Sequence, residues 1–550
     1  MAKALKSRAS KQIYQSPNQL ILNGFETPFS QKLNLNNRWV ILAHKIPWDA
    51  LAKVYISQMK NSTTGADGIN PRVAIGALII KHMCDLSDRE TILQIQENTY
   101  MQYFIGYSSF SNEEPFDPSL FVDLRKRLGH EQIGSLNEMI LKLSQTNRPE
   151  KPDINDSGSE AVTNTEPLEE VRDSVDEPQP QGQLITDATA CPQDISYPTD
   201  LNLLNDAREK SEELIDILYN PQSHQNKPRT YRKIARKRYL KTAQKKRKST
   251  KEIRSAIRIQ LCYVRRNIKS IHRLLDAYEG IPLNKYQYKY LLVIHTLYDQ
   301  QAMMFNENTH SVEHRIVSIH QPHVRPIVRG KTNALVEFGA KINVSIMNGY
   351  TFLDDIEWEA YNEGTRLMST VDKYKQRFGY YPAVVLADRI YCNRLNREKL
   401  KNLNITLRAK PLGRPKAVSE EHVRPGERNP IEGKFGQAKT AYGMNRIKAR
   451  LQQTSESWIA TIILVLNLVK LAGEVPLCLL RSFLTYSANV VSNKNQWLIN
   501  VFVWLKQESF LKTMPHTYSA DPKLRRVMPT AFCFMVVNNS TNMSCLQHCS

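Results

Sequence analysis

From residue 182 to residue 472, short apolar runs closed by turn residues alternate with stretches of helical spacing, which restricts this part of the chain to an α/β architecture. GQLITDATA (182–190) is a short apolar run followed by turn residues, and LVEFGAKINVSIMNGYTFLDDIEWEA (335–360) reads as two strands joined at Asn348–Gly349, a favoured hairpin dipeptide. Helical spacing covers 364–378, PAVVLADR (382–389) is a buried-type strand, and 392–403 is a helix. ITLRAK (405–410) is another strand, and 429–450 is a helix leading to an apolar helix at 456–472. This order predicts a mixed sheet whose first two strands are separated by a long helical insertion, about 203–300.

The insertion carries the strongest charge signal. Residues 227–273 hold nineteen Lys and Arg against one acidic residue, Glu252, interrupted by Tyr231, Tyr239 and Tyr263. A solvated helix face explains some such runs, but this many like charges repel without a counter-charge. The whole chain has a formal net charge of +21, which favours a polyanionic partner, because Lys and Arg release counterions when they neutralise phosphates. Nucleic acid is the partner expected. Membrane is not, since the N-terminus lacks the apolar core of a signal peptide and the stretch 458–469 is shorter than the ~20 residues of a spanning helix. That stretch reads as a buried helix. Eight scattered cysteines without a CxxC pair fit a reducing, cytoplasmic setting; Cys545, His548 and Cys549 form at most half a zinc site.

Upstream, residues 34–60 and 71–106 have helical spacing, the second with a break at Asp85–Ser87. The outline fits a helix-turn-helix or a plain packing αα-hairpin. A further helix lies around Phe116 to Gly129. Residues 150–180 contain ten acidic residues, four prolines and few large apolar groups, a composition that reads as a disordered linker.

Asp187 and Asp388 each follow an apolar run, and both are expected to project from strand ends, where ligands of α/β sheets bind. Either alone is more often a turn or helix cap than a metal ligand. In RNPIEGKFGQAKTAYGMNRIKAR, Arg428, Glu432 and Lys439 fall on roughly one helix face. An isolated Arg428–Glu432 pair would be a surface salt bridge. Three carboxylates brought together require a cation, and all-oxygen ligation suits Mg²⁺ or Mn²⁺. His314, His320 and His323 are too irregularly spaced for a metal site and read as loop or phosphate-contact histidines. Tyr391 and Tyr442 read equally as DNA-stacking groups or core aromatics.

At these residues the sequence resembles the DDE transposases of bacterial insertion sequences, of the type with an InsH-type N-terminal module. The resemblance covers roughly residues 35–130 and 180–475. It rests on LSDRETILQIQENTYMQYFIG, LITDATACPQDISYPTDLNLLNDARE, VRPIVRGK, VEFGAKINVSI, VVLADRIYCNRLNR and RNPIEGKFGQAKTAYGMNRIKARL. It implies an RNase H-like catalytic domain in which Asp187, Asp388 and Glu432 are catalytic and hold two Mg²⁺ or Mn²⁺ ions. Arg428 and Lys439 support them, matching the R-(3)-E-(6)-K part of a signature of related transposases; the Tyr of the longer signature is replaced by Pro425. Forty-three residues lie between Asp388 and Glu432, too few for a large insertion domain, so the insertion follows Asp187 instead.

The organisation expected is a helical DNA-binding domain (1–145), an acidic linker (146–181), an RNase H-like catalytic domain (182–475) and a C-terminal extension (476–550). Candidate DNA contacts are Lys245, Lys246, Arg247, Lys248, Arg329, Lys331, Arg389 and Arg446. The partners implied are the element's terminal inverted repeats and target DNA, engaged by a homodimer at the bacterial nucleoid. Competing readings are a DNA-binding regulator or inactive domesticated transposase, and a metal nuclease that does not join strands.

Overall fold

Asn37 opens the first described helix by accepting a hydrogen bond from the Trp39 amide, and side-chain caps of this kind recur at about half of the helix starts that follow. The computed structural model describes residues 32–58, 68–146, 179–280, 282–328, 336–409 and 426–473, with side chains of the helix ending at 146 described only to 142. All lie in the first of two compact units, Met1–Val475; the second, Pro476–Ser550, falls outside the described residues. So do nearly all of the acidic linker, Arg329, Lys331 and the half zinc site.

The helices before the first described strand are α1 (Arg38–Lys45), α2 (Trp48–Ser57), α3 (Pro71–Met83), α4 (Asp88–Glu97), α5 (Thr99–Ile105), α6 (Leu120–Arg127) and α7 (His130–Thr146). Asp85 at positive φ and the Ser87 cap, whose hydroxyl accepts from the Glu90 amide, make the expected break between α3 and α4. A second break, at Asn98, was not foreseen: its side chain accepts from the Tyr100 and Met101 amides and starts α5. Every residue of α3 is buried, charged ones included. Arg72, for instance, donates to the Phe104 and Tyr103 carbonyls at the end of α5, where the helix dipole favours a cation. With no free face, α3 cannot enter a DNA groove.

Next come β1 (Gln183–Pro192), α8 (Asp200–Leu218), α9 (Arg232–Ala243), α10 (Thr250–Leu275), α11 (Lys285–Glu307), β2 (Arg325–Val328), β3 (Val336–Met347) and β4 (Tyr350–Glu357). The insertion is therefore four helices, with an apolar core of its own built from α8, α10 and α11 around Leu204, Ile215, Val264, Ile271 and Ile294. Asn348 and Gly349, both at positive φ, form the two-residue turn between β3 and β4. A side chain at Gly339 would run into the Cys191 carbonyl oxygen, so only glycine lets β3 lie this close to β1.

The chain continues through α12 (Leu367–Phe378), β5 (Val384–Leu386), α13 (Arg394–Asn402), β6 (Thr406–Arg408), α14 (Asn429–Ala441) and α15 (Gln452–Ala472). The sheet order is β2-β3-β1-β5-β6, with β4 also on β3. β2, β3, β4 and β1 run antiparallel to their neighbours, and β5 and β6 parallel to β1, giving the mixed sheet expected. α14 ends at Ala441, earlier than the 450 read from sequence, before Gly443 at positive φ.

α15 is long and apolar enough to cross a bilayer, longer than its sequence suggested, yet 78% of its most apolar window is buried inside the protein. It packs on β4 of the sheet and on α1, α3, α6 and α7 of the N-terminal helices. Lys81 and Arg125 lie over the Trp458 ring at 4.7 and 5.4 Å, and His82 meets it edge-on at 4.8 Å. Both cations also bind Asp88, Arg125 through two 3.0 Å hydrogen bonds. One helix thus supplies core to both halves of the chain.

Candidate active site

The site begins with strand register. β1 and β5 are paired from Gln183–Val384 to Ile185–Leu386, and two residues past that last rung stand Asp187 on one strand and Asp388 on the other. Asp388 follows the end of β5, as expected. Asp187 does not lie at a strand end: β1 continues for five more residues, paired with β3. The run QLITDATACP reads as ending early because Thr186, Asp187 and Thr189 break its apolar character, although β3 covers that edge throughout. Asp187 is exposed to the site because β5 stops, not because β1 does.

Beneath the aspartates, Ile185, Leu386 and Ile346 form an apolar patch that receives Ile431 of α14, with Phe435 one turn on packed against it. This anchor fixes α14 and brings Arg428, its N-cap residue, onto the carboxylates. One guanidinium nitrogen donates to Asp187 Oδ2 at 3.0 Å, and the other lies 3.2 Å from Asp388 Oδ1. Asp187 Oδ1 accepts from the Ala188 amide and Asp388 Oδ1 from the Arg389 amide, both at 2.8 Å. Asp388 also caps a 3₁₀ turn, Arg389–Tyr391.

Burial pushes the Asp187 carboxyl up to about 6; the Ala188 amide and Arg428 pull it down, while Glu363 and Asp388 push it up. Arg428 and the Ala188 amide thus offset only part of the penalty of burying this carboxylate. Glu363 was not singled out in the sequence. It stands in a second 3₁₀ turn, Glu363–Thr365, tied to the first by Asn396, whose amide donates to the Gly364 carbonyl at 2.7 Å and the Tyr391 carbonyl at 3.0 Å. A Cβ on Gly364 would come within 2.7 Å of the Ile390 carbonyl, so the glycine allows the two turns to meet. Glu363 is neutralised by Lys341 at 2.9 Å. An Asn at 396 and a Gly at 364 are signals only once the two turns are known to touch.

Glu432 follows the anchored Ile431 by one residue, about 100° around the helix, and is exposed. Among the described residues it has no hydrogen-bond or ion-pair partner, and no group of three or more His, Cys, Asp or Glu could hold a metal ion. The structure thus joins Asp187, Asp388 and Arg428 and leaves Glu432 outside this group. Arg428 does not pair with Glu432 along a helix face, because it caps the helix and reaches across it. Lys439 lies half-buried farther along α14.

Residues 385–469 match the family described as transposase DDE domain, and residues 27–127 match the transposase domain DUF772. The two matches, one at each end of the described chain, support reading it as an insertion-sequence DDE transposase. An uncharacterized protein of the nfe locus of Rhizobium meliloti is 32% identical over 104 residues, 19% of this chain and 49% of that protein, so the chain spans about half the length of the curated relative it matches. No solved structure matches.

The other sequence candidates are dispersed over the chain. Lys245, Lys246, Arg247 and Lys248 are exposed in the turn joining α9 to α10, not on a helix. Lys245 pairs with Glu252, whose side chain completes a capping box with Ser249. Arg389 is exposed next to Asp388, and Arg446 pairs with Asp194 at 2.9 Å. His314 bonds Glu359, His320 bonds Tyr290 and His323 packs on Trp358, so the three form no cluster. Tyr391 and Tyr442 are fully buried core aromatics.

Proposed function

We propose that the chain cleaves the DNA ends of its insertion sequence and joins them to target DNA by metal-dependent phosphoryl transfer, with Asp187, Asp388 and Glu432 as the catalytic carboxylates. The observation that carries this reading is the cation bridge: two aspartates at one level of adjacent parallel strands share a single guanidinium. The strand order, antiparallel strands around β3 and β1 continued by the parallel β5 and β6, supports an RNase H-like catalytic half within residues 182–475.

The residues fit the divalent ions that the family implies. Their carboxylate oxygens are hard donors, and the two aspartates already draw one cation, the Arg428 guanidinium, between them. Asp187 and Asp388 would hold Mg²⁺ or Mn²⁺, with Glu432 turning in from the first turn of α14. Bound there, two ions supply activation of a water or 3′-hydroxyl and stabilisation of the leaving oxygen. Arg389 then meets the phosphate beside the reacting carboxylates, and the α9–α10 turn takes the DNA backbone farther out. Positioning and charge neutralisation suffice for this chemistry, so no nucleophilic side chain is required. Residues 1–145 would contact the terminal repeats and 146–181 connect the two halves, with two copies pairing the two ends.

Glu432 standing apart favours a second reading, a fold retained for DNA binding without the reaction. Incubating the purified chain with labelled element ends, target DNA and Mg²⁺ separates the two. Cleaved and joined products support transposition, cleaved products alone support a nuclease, and binding without either supports the regulator.

A further inference from the structure

Arg428 occupies the space between the two aspartates in an unusually exclusive way. Each terminal nitrogen is committed to one carboxylate, at 3.0 and 3.2 Å, and the remaining Nε is buried with no acceptor among the described residues. The side chain is 17% exposed, and its position is set three residues away by Ile431 in the apolar patch under the site.

We propose that Arg428 is a built-in competitor for the catalytic cations: it neutralises Asp187 and Asp388 in the free protein and must swing off them before divalent ions enter. The inference rests on the metal-ion reading above. A guanidinium and a divalent ion cannot both occupy Asp187 Oδ2 and Asp388 Oδ1, the oxygens that Arg428 holds, so entry of one requires departure of the other. Once released from the tip of α14, Arg428 becomes a free cation beside the site, available to a DNA phosphate. Ion entry and DNA engagement would then favour one another, because whatever draws Arg428 away opens the carboxylates.

The test is Mn²⁺ binding to the full chain without DNA, measured by the electron paramagnetic resonance signal of the free ion. The proteins compared are wild type, Arg428→Gln, Arg428→Lys and the double variant Asp187→Asn/Asp388→Asn. Removing the competing charge should tighten site binding in Arg428→Gln by about tenfold. Arg428→Lys, which keeps a charge that cannot span both carboxylates, should fall between it and wild type. If Arg428→Gln does not fold, as judged by thermal melting, the Lys variant alone decides. Equal or weaker binding in the Arg428 variants, with binding still lost in the double variant, would overturn the competitor while leaving the metal site standing. Binding unaffected in the double variant would remove the metal reading and the competitor with it.

Discussion

Asp187 and Asp388 stand at the same level of two adjacent parallel strands, each two residues beyond the Ile185–Leu386 rung. The pair is thus defined by sheet register, and a shift of either strand by one residue would turn its carboxylate to the opposite face. Replacing either by Asn keeps the rung and the shape and removes one charge. Strand cleavage in Mg²⁺ should be abolished in both variants while binding to element ends stays within a few-fold. Gel assays of cleavage and of mobility shift on the same preparations check this, and cleavage surviving in one variant removes that residue from the site.

Asp187 also makes the fold sensitive to pH. Burial raises its carboxyl from the ordinary 3.8 to about 6. Across that window the folded protein binds the proton that the unfolded chain releases, so this group's contribution to stability falls as pH rises and its cost is complete above 6. Asp187→Asn has no such cost. The variant should be more stable than wild type at pH 8, by up to about 3 kcal/mol, with the difference vanishing toward pH 4. Urea melts at both values measure it, and a difference that grows on acidification contradicts the sign.

The turn between α9 and α10 offers Lys246, Arg247 and Lys248 to solvent alongside Lys245. Changing all four to Gln should weaken DNA binding and flatten its salt dependence by ~0.9 log-log unit for each phosphate no longer neutralised. The readout is the slope of affinity against salt, and an unchanged slope makes the turn a solvated surface only.

Where structure is local, the sequence anticipated it. The Asn348–Gly349 turn, the Ser87 cap and the run Val384–Leu386 ending at Asp388 are each decided by residues a few positions apart. What escaped depends on partners far away in the chain. Arg428 meets Asp187 across 241 positions, and Glu363 joins the site only because Asn396 ties two turns together. The apolar stretch around Trp458 was correctly read as buried, but nothing in its composition names the helices it would be buried among.

Burial of α15 among the N-terminal helices decides whether those helices can be taken off the protein. Sequence suggested a separate helical DNA-binding domain over residues 1–145. In the structure its core is completed by α15: Lys81, His82 and Arg125 close on Trp458, and the Asn467 amide donates to Asn137 Oδ1 at 2.8 Å and to the Thr351 carbonyl at 2.7 Å. Arg377 of α12 binds Glu138 of α7 at 2.8 Å, and His130 lies 3.4 Å from Glu456. Without α15, a fragment of residues 1–145 exposes the apolar faces of α3 and α7 and leaves two buried cations with one carboxylate between them, a costly arrangement. It should show no cooperative melting and no preference for the repeat, whereas co-expression with residues 179–475 should restore a soluble complex. In the full chain, Trp458→Ala should destabilise by about 3–5 kcal/mol, through the cavity it leaves and the two cations it uncovers. A fragment of residues 1–145 that melts cooperatively and discriminates the repeat from a scrambled duplex would show that α15 only covers an already complete module.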